Sequence, residues 1–343
     1  MKHEQKPLDK KPLLTVVVPA YNCAEFLKKG VLSLVNHGLN NLVEVLIVND
    51  GSKDDTLAVA EGLRKLSPSV RVIDKANGGH GSTINVGIKR ASGKYFRLMD
   101  GDDYFDTKEF VRFLEKLQKE EADIILTDYT EDLIKEKRLN SVHRYDNLPK
   151  NQSLQIENMM DKKIGFKTWG PLLSTTTCKT ALLKTADFKI DENCFYVDME
   201  YNFMVYAQAE TLIYYPLDIY RYVVGLEEQS VNAKNMRKNY QQHEKVCLRL
   251  LQEYEARKAG FGAGKNEYLK ERLVTGMCDS NYYVILHYLR SRKKFLEFDH
   301  KLKKYPKFYD SPKIAGKVVR ALRITNGRGL KVIVALNEFL NKK

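Results

Sequence analysis

Three carboxylates fall within four residues at Asp100–Asp103 (DGDD), directly after the apolar run that ends at Met99. Carboxylates this close repel one another, and a cation is their natural compensation. Hard oxygen donors suit Mg or Mn, and such an ion can bridge two phosphates and offset the charge that develops on a departing diphosphate. The same residues also suit a helix N-cap or Asx turn ahead of a helix starting near Asp106. A second polar segment, NGGHGS at 77–82, places Gly78, Gly79 and Gly81 where backbone N–H groups can approach a phosphate or ribose closely. His80 within it reads as a local hydrogen-bonding residue. A further acidic pair, Asp198 and Glu200 in YVDMEYNF, is spaced two apart, so on a helix the two side chains diverge and do not form one paired site.

These polar segments need elements to hold them. The first hundred residues alternate apolar, β-branched runs with stretches of helical spacing, which predicts a doubly wound α/β fold with a parallel sheet. Strands are expected at Leu13–Val18, Val43–Val48, Val70–Ile73, Tyr95–Met99 and Ile124–Leu126. Helices are expected around Phe26–Val35, Asp54–Leu66, Ser82–Arg90 and Lys108–Glu120. Strands this apolar are buried on both faces, so ligands collect where their C-terminal ends emerge. PAYN, NDGS, NGGHGS and DGDD follow the first four strands at those ends. From about Tyr240 onward the pattern turns to long helices. The expected organisation is a tail over 1–11, a catalytic domain over 12–235 and a basic helical region over 236–343.

PAYN, VNDGSKDDT, the NGG loop with Asn85-Val86-Gly87 and DGDD stand in the order found in inverting GT-A fold glycosyltransferases of family two, which the chain resembles over about residues 13–235. The likeness extends to KTWGPLLSTTTCKTALLK, YVDMEYNF and YRYVVG. It implies a GT-A, Rossmann-like fold of mostly parallel sheet flanked by helices, and a UDP-sugar donor. It implies that Pro19 and Tyr21 wall the base, a flat heterocycle that suits an aromatic face, with core packing the alternative for Tyr21. Asp50 then accepts from the uracil imide, and Gly79, Asn85 and Gly101 lie beside the nucleotide sugar. Asp100 contacts the ribose or the metal shell, Asp102 binds the metal, and Asp103 caps or orients its neighbours. Ser52 and Asp54 read as caps of the next helix. Inverting transfer also requires a general base for the acceptor hydroxyl. The resemblance gives that role to Asp198 and places Glu200 and Trp169 on the acceptor side; burial of Trp169 in the core is the alternative.

The totals narrow the classes. No stretch approaches the roughly 18 apolar residues of a membrane-spanning helix. The start lacks the pattern of a secretory signal, which predicts a cytoplasmic protein. Five cysteines without a Cys-x-x-Cys pair argue against a zinc site or disulfide framework. The net charge of +13 is concentrated from Arg290 to Lys343, with 16 Lys and Arg against 4 Asp and Glu. Such a segment suits an anionic membrane surface, or simply a solvated face, and no nucleic-acid-binding module accompanies it. The expected partners are a UDP-sugar and a glycan or lipid-linked acceptor. Nucleotidyl transfer and a non-catalytic sugar-nucleotide scaffold are the competing readings.

Overall fold

The computed structural model describes residues 11–35, 38, 40–160, 172–225 and 233–340. The chain divides into two compact units, Met1–Glu227 and Glu228–Lys343.

The first unit is built on one sheet. β1 (Leu14–Ala20), β2 (Val43–Asn49), β3 (Val70–Asp74) and β4 (Tyr95–Leu98) form its first half, in the order β3-β2-β1-β4 and all parallel. β1 and β2 are buried at every position, as continuous apolar runs covered on both faces must be. Pro19 has no N–H to donate, and it sits where β4 no longer pairs with β1, since that ladder ends at Val17 and Leu98. The helices α1 (Ala24–Val35), α2 (Thr56–Leu66) and α3 (His80–Arg90) connect these strands. Leu27, Val31 and Leu34 of α1 join Val16, Val18, Val45 and Ile47 in the core.

The second half of the sheet contains the helix expected from Lys108 and the strand expected from Ile124, and adds several elements that periodicity alone did not give. β5 (Tyr104–Phe105) and α4 (Thr107–Leu117) follow the acidic cluster, then β6 (Ile124–Leu133), β7 (Arg138–Val142), β8 (Ser153–Gln155), β9 (Thr176–Lys179), the short α5 (Thr180–Leu183), α6 (Asp198–Gln208) and β10 (Thr211–Val224). β9 runs antiparallel between β4 and β6, so the sheet is mixed rather than wholly parallel. β10 pairs with β6 in parallel, with register breaks on either side of Asp218. Pro216 lies in the first break, where a residue without a donor cannot continue a ladder. Buried Glu44 in β2 is satisfied by Thr15 Oγ1 at 2.7 Å, Arg71 at 2.7 Å and the Ser92 amide at 2.9 Å.

The second unit is helical: α7 (Ala233–Lys238), α8 (Tyr240–Arg257), α9 (Ala263–Tyr268), α10 (Thr275–Tyr283), α11 (Arg292–Leu302), α12 (Pro306–Tyr309), α13 (Lys317–Ile324) and α14 (Leu330–Leu340). Leu250, Leu251, Leu273, Phe295, Phe298 and Leu302 form its interior. The buried His243 ring contacts Asn281 Oδ1 at 3.0 Å and Ser280 Oγ at 3.1 Å, and burial lowers its pKa. Among the described residues no helix is long and apolar enough to cross a membrane.

Candidate active site

The loops at the C-terminal ends of β1–β4 are bonded into one platform. After β1, Asn22 adopts φ of 49° and its side chain accepts from the Lys53 amide at 2.8 Å, while its own N–H donates to Ser52 Oγ at 3.0 Å. Ser52 also donates to Asn49 Oδ1 at 2.6 Å, so it ties two strand ends together instead of capping a helix as its position suggested. Asp54 does serve a helix start, accepting from the Thr56 amide at 3.0 Å, and also from the Ala24 amide at 3.2 Å, so one carboxylate serves the first residues of both α1 and α2. Tyr21 is 48% exposed, which removes the core-packing alternative and leaves its ring open at the end of β1. Pro19 is buried in the strand.

Asp50 is only 3% exposed. Its carboxylate accepts from the Gly78 amide at 2.9 Å, the Gly79 amide at 2.8 Å and Lys75 Nζ at 2.6 Å. Two consequences correct the expected roles. A direct bond from Asp50 to a uracil imide would have to displace one of these donors. The Gly78 and Gly79 amides, in turn, face Asp50 rather than standing free for a phosphate. Gly79, with φ of 79°, supplies the left-handed turn this geometry needs.

The glycines have a further reason. A Cβ on Gly81 would lie 2.0 Å from the Asp191 carbonyl oxygen, and one on Gly79 would lie 3.3 Å from the Asn193 backbone. What approaches this loop closely is therefore the segment 190–197, which leads into α6. Asn85 is committed to the same junction: Nδ2 donates to the Ile190 carbonyl at 2.8 Å and Oδ1 accepts from the Ile190 amide at 3.0 Å. The expected nucleotide contact of Asn85 is thus replaced by a two-way backbone clamp. Glu200, expected on the acceptor side, is 1% exposed and accepts from the Asp191 amide at 2.9 Å, so it holds this segment from below and is out of an acceptor's reach. Trp169 lies outside the described residues.

In the acidic cluster the four positions separate cleanly. Asp106, not the cluster, caps α4 by accepting from the Glu109 amide at 3.0 Å, so the capping alternative for DGDD falls. Asp103 is buried, accepting from the Val223 amide at 2.8 Å and from the Tyr220 hydroxyl, whose oxygen accepts in turn from the Asp100 amide at 3.2 Å. Burial, with Asp100 and Asp102 beside it, pushes the Asp103 carboxyl up to about 9. Gly101 is held between β1 and the cluster, since a Cβ there would meet Cys23 Sγ at 2.8 Å and the Pro19 carbonyl at 2.9 Å. Asp100 and Asp102 remain partly exposed. Among the described residues neither carboxylate forms an ion pair or a hydrogen bond with another side chain. Burial and the adjacent Asp100 push Asp102 up to about 6, against the pull of His80. A cavity of about 220 Å3 opens beside Asp102, between Phe26 and Lys29 of α1 and Tyr104 and Asp132. A larger one, about 270 Å3, belongs to the second unit, where Arg323 and Asp299 already satisfy one another, and it has no part in this chemistry.

Asp198 opens α6 and is exposed. Surrounding protein raises its carboxyl pKa, partly offset by His80 and by the amides of Asp198 and Met199, and solvent screens much of that rise. His80 and Asp100 both act on Asp198 electrostatically, and His80 also acts on Asp102. The fold therefore brings Asp100, Asp102 and Asp198 to one place, with His80 among them. The sequence alone gave no signal for that placement of His80 beyond its being the one imidazole in a Gly-rich loop. Among the described residues no three His, Cys, Asp or Glu side chains converge as a complete metal cage. Two unpartnered carboxylates in a site open to solvent nevertheless fit a cation whose remaining ligands come from a diphosphate or water.

Solved structures with the same architecture include the crystal structure of S. aureus TarS 1-349, which aligns over 95% of this chain and 92% of its own with a TM-score of 0.67 at 16% identity. The same fragment in complex with UDP-GlcNAc aligns with a TM-score of 0.68. At this identity the likeness establishes the GT-A fold. Among curated relatives, an uncharacterized glycosyltransferase, EpsJ of Bacillus subtilis (strain 168), is 39% identical over 114 residues, 33% of each chain. The hyaluronan synthase of Pasteurella multocida is 40% identical over 103 residues, 30% of this chain and 10% of that protein. The chain thus spans a third or less of the length of these relatives. The family model described as Glycosyl transferase family 2 matches residues 15–190, just over half of the chain and the stretch that carries all four strand-end loops. With its fold and its motif order both accounted for, the chain belongs to glycosyl transferase family 2.

Proposed function

We propose that this glycosyltransferase moves a hexosyl or N-acetylhexosaminyl group from a UDP-sugar to an acceptor hydroxyl with inversion. The acceptor belongs to a cell-envelope polysaccharide, a glycolipid precursor or a glycoprotein. The observation that carries the reading is the contrast within DGDD: Asp103 is consumed by internal hydrogen bonds, while Asp100 and Asp102 stay open to solvent beside exposed Asp198. Leaving like charges uncompensated in a packed fold is unfavourable unless a ligand neutralises them. Asp100 and Asp102 are the residues that would hold a divalent ion, Mn or Mg. That ion, when bound, supplies charge neutralisation to the diphosphate.

The remaining work falls to the chain's own groups. Asp198 takes the proton of the attacking hydroxyl as general base, and its raised pKa makes it a better proton acceptor. Tyr21 offers a flat face to the base of the nucleotide. Asp50 fixes the Gly78–Gly79 backbone against which the nucleotide packs. The UDP-GlcNAc and UDP complexes of TarS, of the same fold, support uridine as the carrier. Relatives named hyaluronan synthase and chondroitin synthase support a glycan product. Residues 12–235 form the catalytic domain in this reading, and the basic region beyond it attaches the enzyme to the inner, anionic membrane face.

A nucleotide-release screen tests the reaction. UDP-sugars, GDP-mannose and dTDP-glucose are each incubated with cell-envelope extract and Mn, and products are identified by mass spectrometry. Release of UDP that depends on extract, with a product heavier by one sugar, is the expected result; release confined to GDP or dTDP, or an unmodified extract, contradicts it.

A further inference from the structure

Two of the five cysteines meet inside the helical unit. Cys247 of α8 and Cys278 of α10 are both 0% exposed, and their sulfurs stand 3.6 Å apart, the distance at which one thiol donates to the other. Both are free thiols. A disulfide holds its sulfurs at about 2.05 Å, so the pair is in contact without being joined. The two positions are 31 residues apart in sequence, so their contact comes from the packing of α8 against α10 and not from one local turn. The helix that carries Cys278 is irregular at both ends. A π-helical turn, Leu269–Val274, runs into α10 and another, Val284–Leu289, runs out of it, the second ending on Arg290 at φ of 47°. Turns of this width interrupt the regular i→i−4 ladder and recur at functional sites. At the start of α10 the Thr275 hydroxyl is 2% exposed and has no hydrogen-bond partner among the described residues, and a buried hydroxyl left unpaired weakens the element that holds it.

We propose that Cys247 and Cys278 form a redox-modification site, at which hydrogen peroxide oxidises the two thiols to a disulfide that staples α8 to α10. The inference is independent of the sugar-transfer reading. The first sulfur, as thiolate, attacks one peroxide oxygen; the O–O bond breaks, and the other oxygen leaves as water with the proton the thiol gave up. The second sulfur then attacks the sulfenic acid so formed. The S–S bond forms, the S–O bond breaks, and the hydroxyl leaves with the second thiol's proton as another water. The two sulfurs together lose two electrons, and the peroxide gains them. Burial, with the bond to Cys278 added to it, holds the Cys247 thiol protonated, so the closed pair resists the first step. Reaction therefore passes through opening of α10 between its two π-helical turns, and the site answers sustained exposure to oxidant more than a brief pulse. Once made, the bond closes a loop across two helices and restricts the unfolded chain.

Peptide mapping of the full chain tests the pair without requiring turnover. The reduced, folded protein is held in hydrogen peroxide, the oxidant is removed, and the remaining thiols are alkylated with iodoacetamide in denaturant before digestion and mass spectrometry. The expected product is a pair of peptides joined through Cys247 and Cys278 with the loss of two hydrogens, in about ten-fold excess over any other cysteine pairing. Dithiothreitol is expected to reverse it. Full alkylation of both cysteines after peroxide, a pairing no more frequent than the others, or conversion of either thiol to sulfinate in place of the bond overturns the proposal. Thermal melting of the same samples reads the staple, and the joined form is expected to melt about 5 °C higher than the reduced one. A joined form that melts no higher overturns the stapling role.

Discussion

Asp198 is the residue on which the chemistry turns, because it combines exposure with a fixed place at the start of α6. Replacement by Asn keeps the shape and the helix-terminal position while removing the proton acceptor. Asp198→Asn is therefore expected to bind UDP as wild type does and to lose a factor of about 10² to 10⁴ in transfer rate. Single-turnover rates set against calorimetric UDP affinity check both halves, and near-normal turnover would move the base elsewhere. The neighbouring acids show why residue type alone misleads. Asp50, Asn85 and Glu200 all stand in motif positions, yet each is engaged with backbone of another segment, and the motif is partly a folding device. Tyr196 carries a local cost of about 1–2 kcal/mol for its left-handed backbone. That cost is borne by the bonds of the segment around it.

At the scale of elements, the first four strands were legible to within two residues at each end, β1 and β2 because parallel strands buried on both faces read as nearly unbroken apolar runs, and β3 and β4 because short β-branched or aromatic runs there are bounded by polar turns. The helices α2, α3 and α4 were legible for the complementary reason, their 3.6-residue spacing. What the sequence hid depends on long-range pairing. β9 is a four-residue strand of two threonines, a cysteine and a lysine that only the gap between β4 and β6 makes a strand. β10 is broken by Pro216, and it carries Tyr220 and Val223, whose bonds to Asp103 decide which acids of DGDD stay open. The close fit of α3 against segment 190–197 was equally hidden, since a glycine does not announce what approaches it. That fit is testable. Gly81→Ala places a methyl group against the Asp191 carbonyl oxygen and must push the segment, and Asp198 with it, away. The expected outcome is a kcat reduced by about 10²-fold with UDP affinity unchanged. An unaltered kcat would show that the junction does not position the base.

The whole molecule adds a second, helical unit with a charge distribution of its own. Ile324 at the end of α13 is 87% exposed and Val332 in α14 63%, and Arg320, Arg328 and Lys331 in the same stretch of chain are exposed as well. Among the described residues none of these three cations forms an ion pair. Exposed apolar side chains in a stretch that also exposes cations suit the surface of an anionic bilayer. Sedimentation with phosphatidylglycerol vesicles is expected to bring the protein down at about 0.1 M salt and to release it near 1 M, where the screening length falls to about 3 Å. Equal binding to neutral phosphatidylcholine vesicles would contradict this. The account as a whole rests on the two open carboxylates of DGDD, and calorimetry of UDP against the full chain tests them most directly. Wild type should bind UDP with Mn present and bind it far more weakly with EDTA, and Asp102→Ala should lose the difference. UDP binding that is indifferent to both Mn and Asp102 would contradict the account.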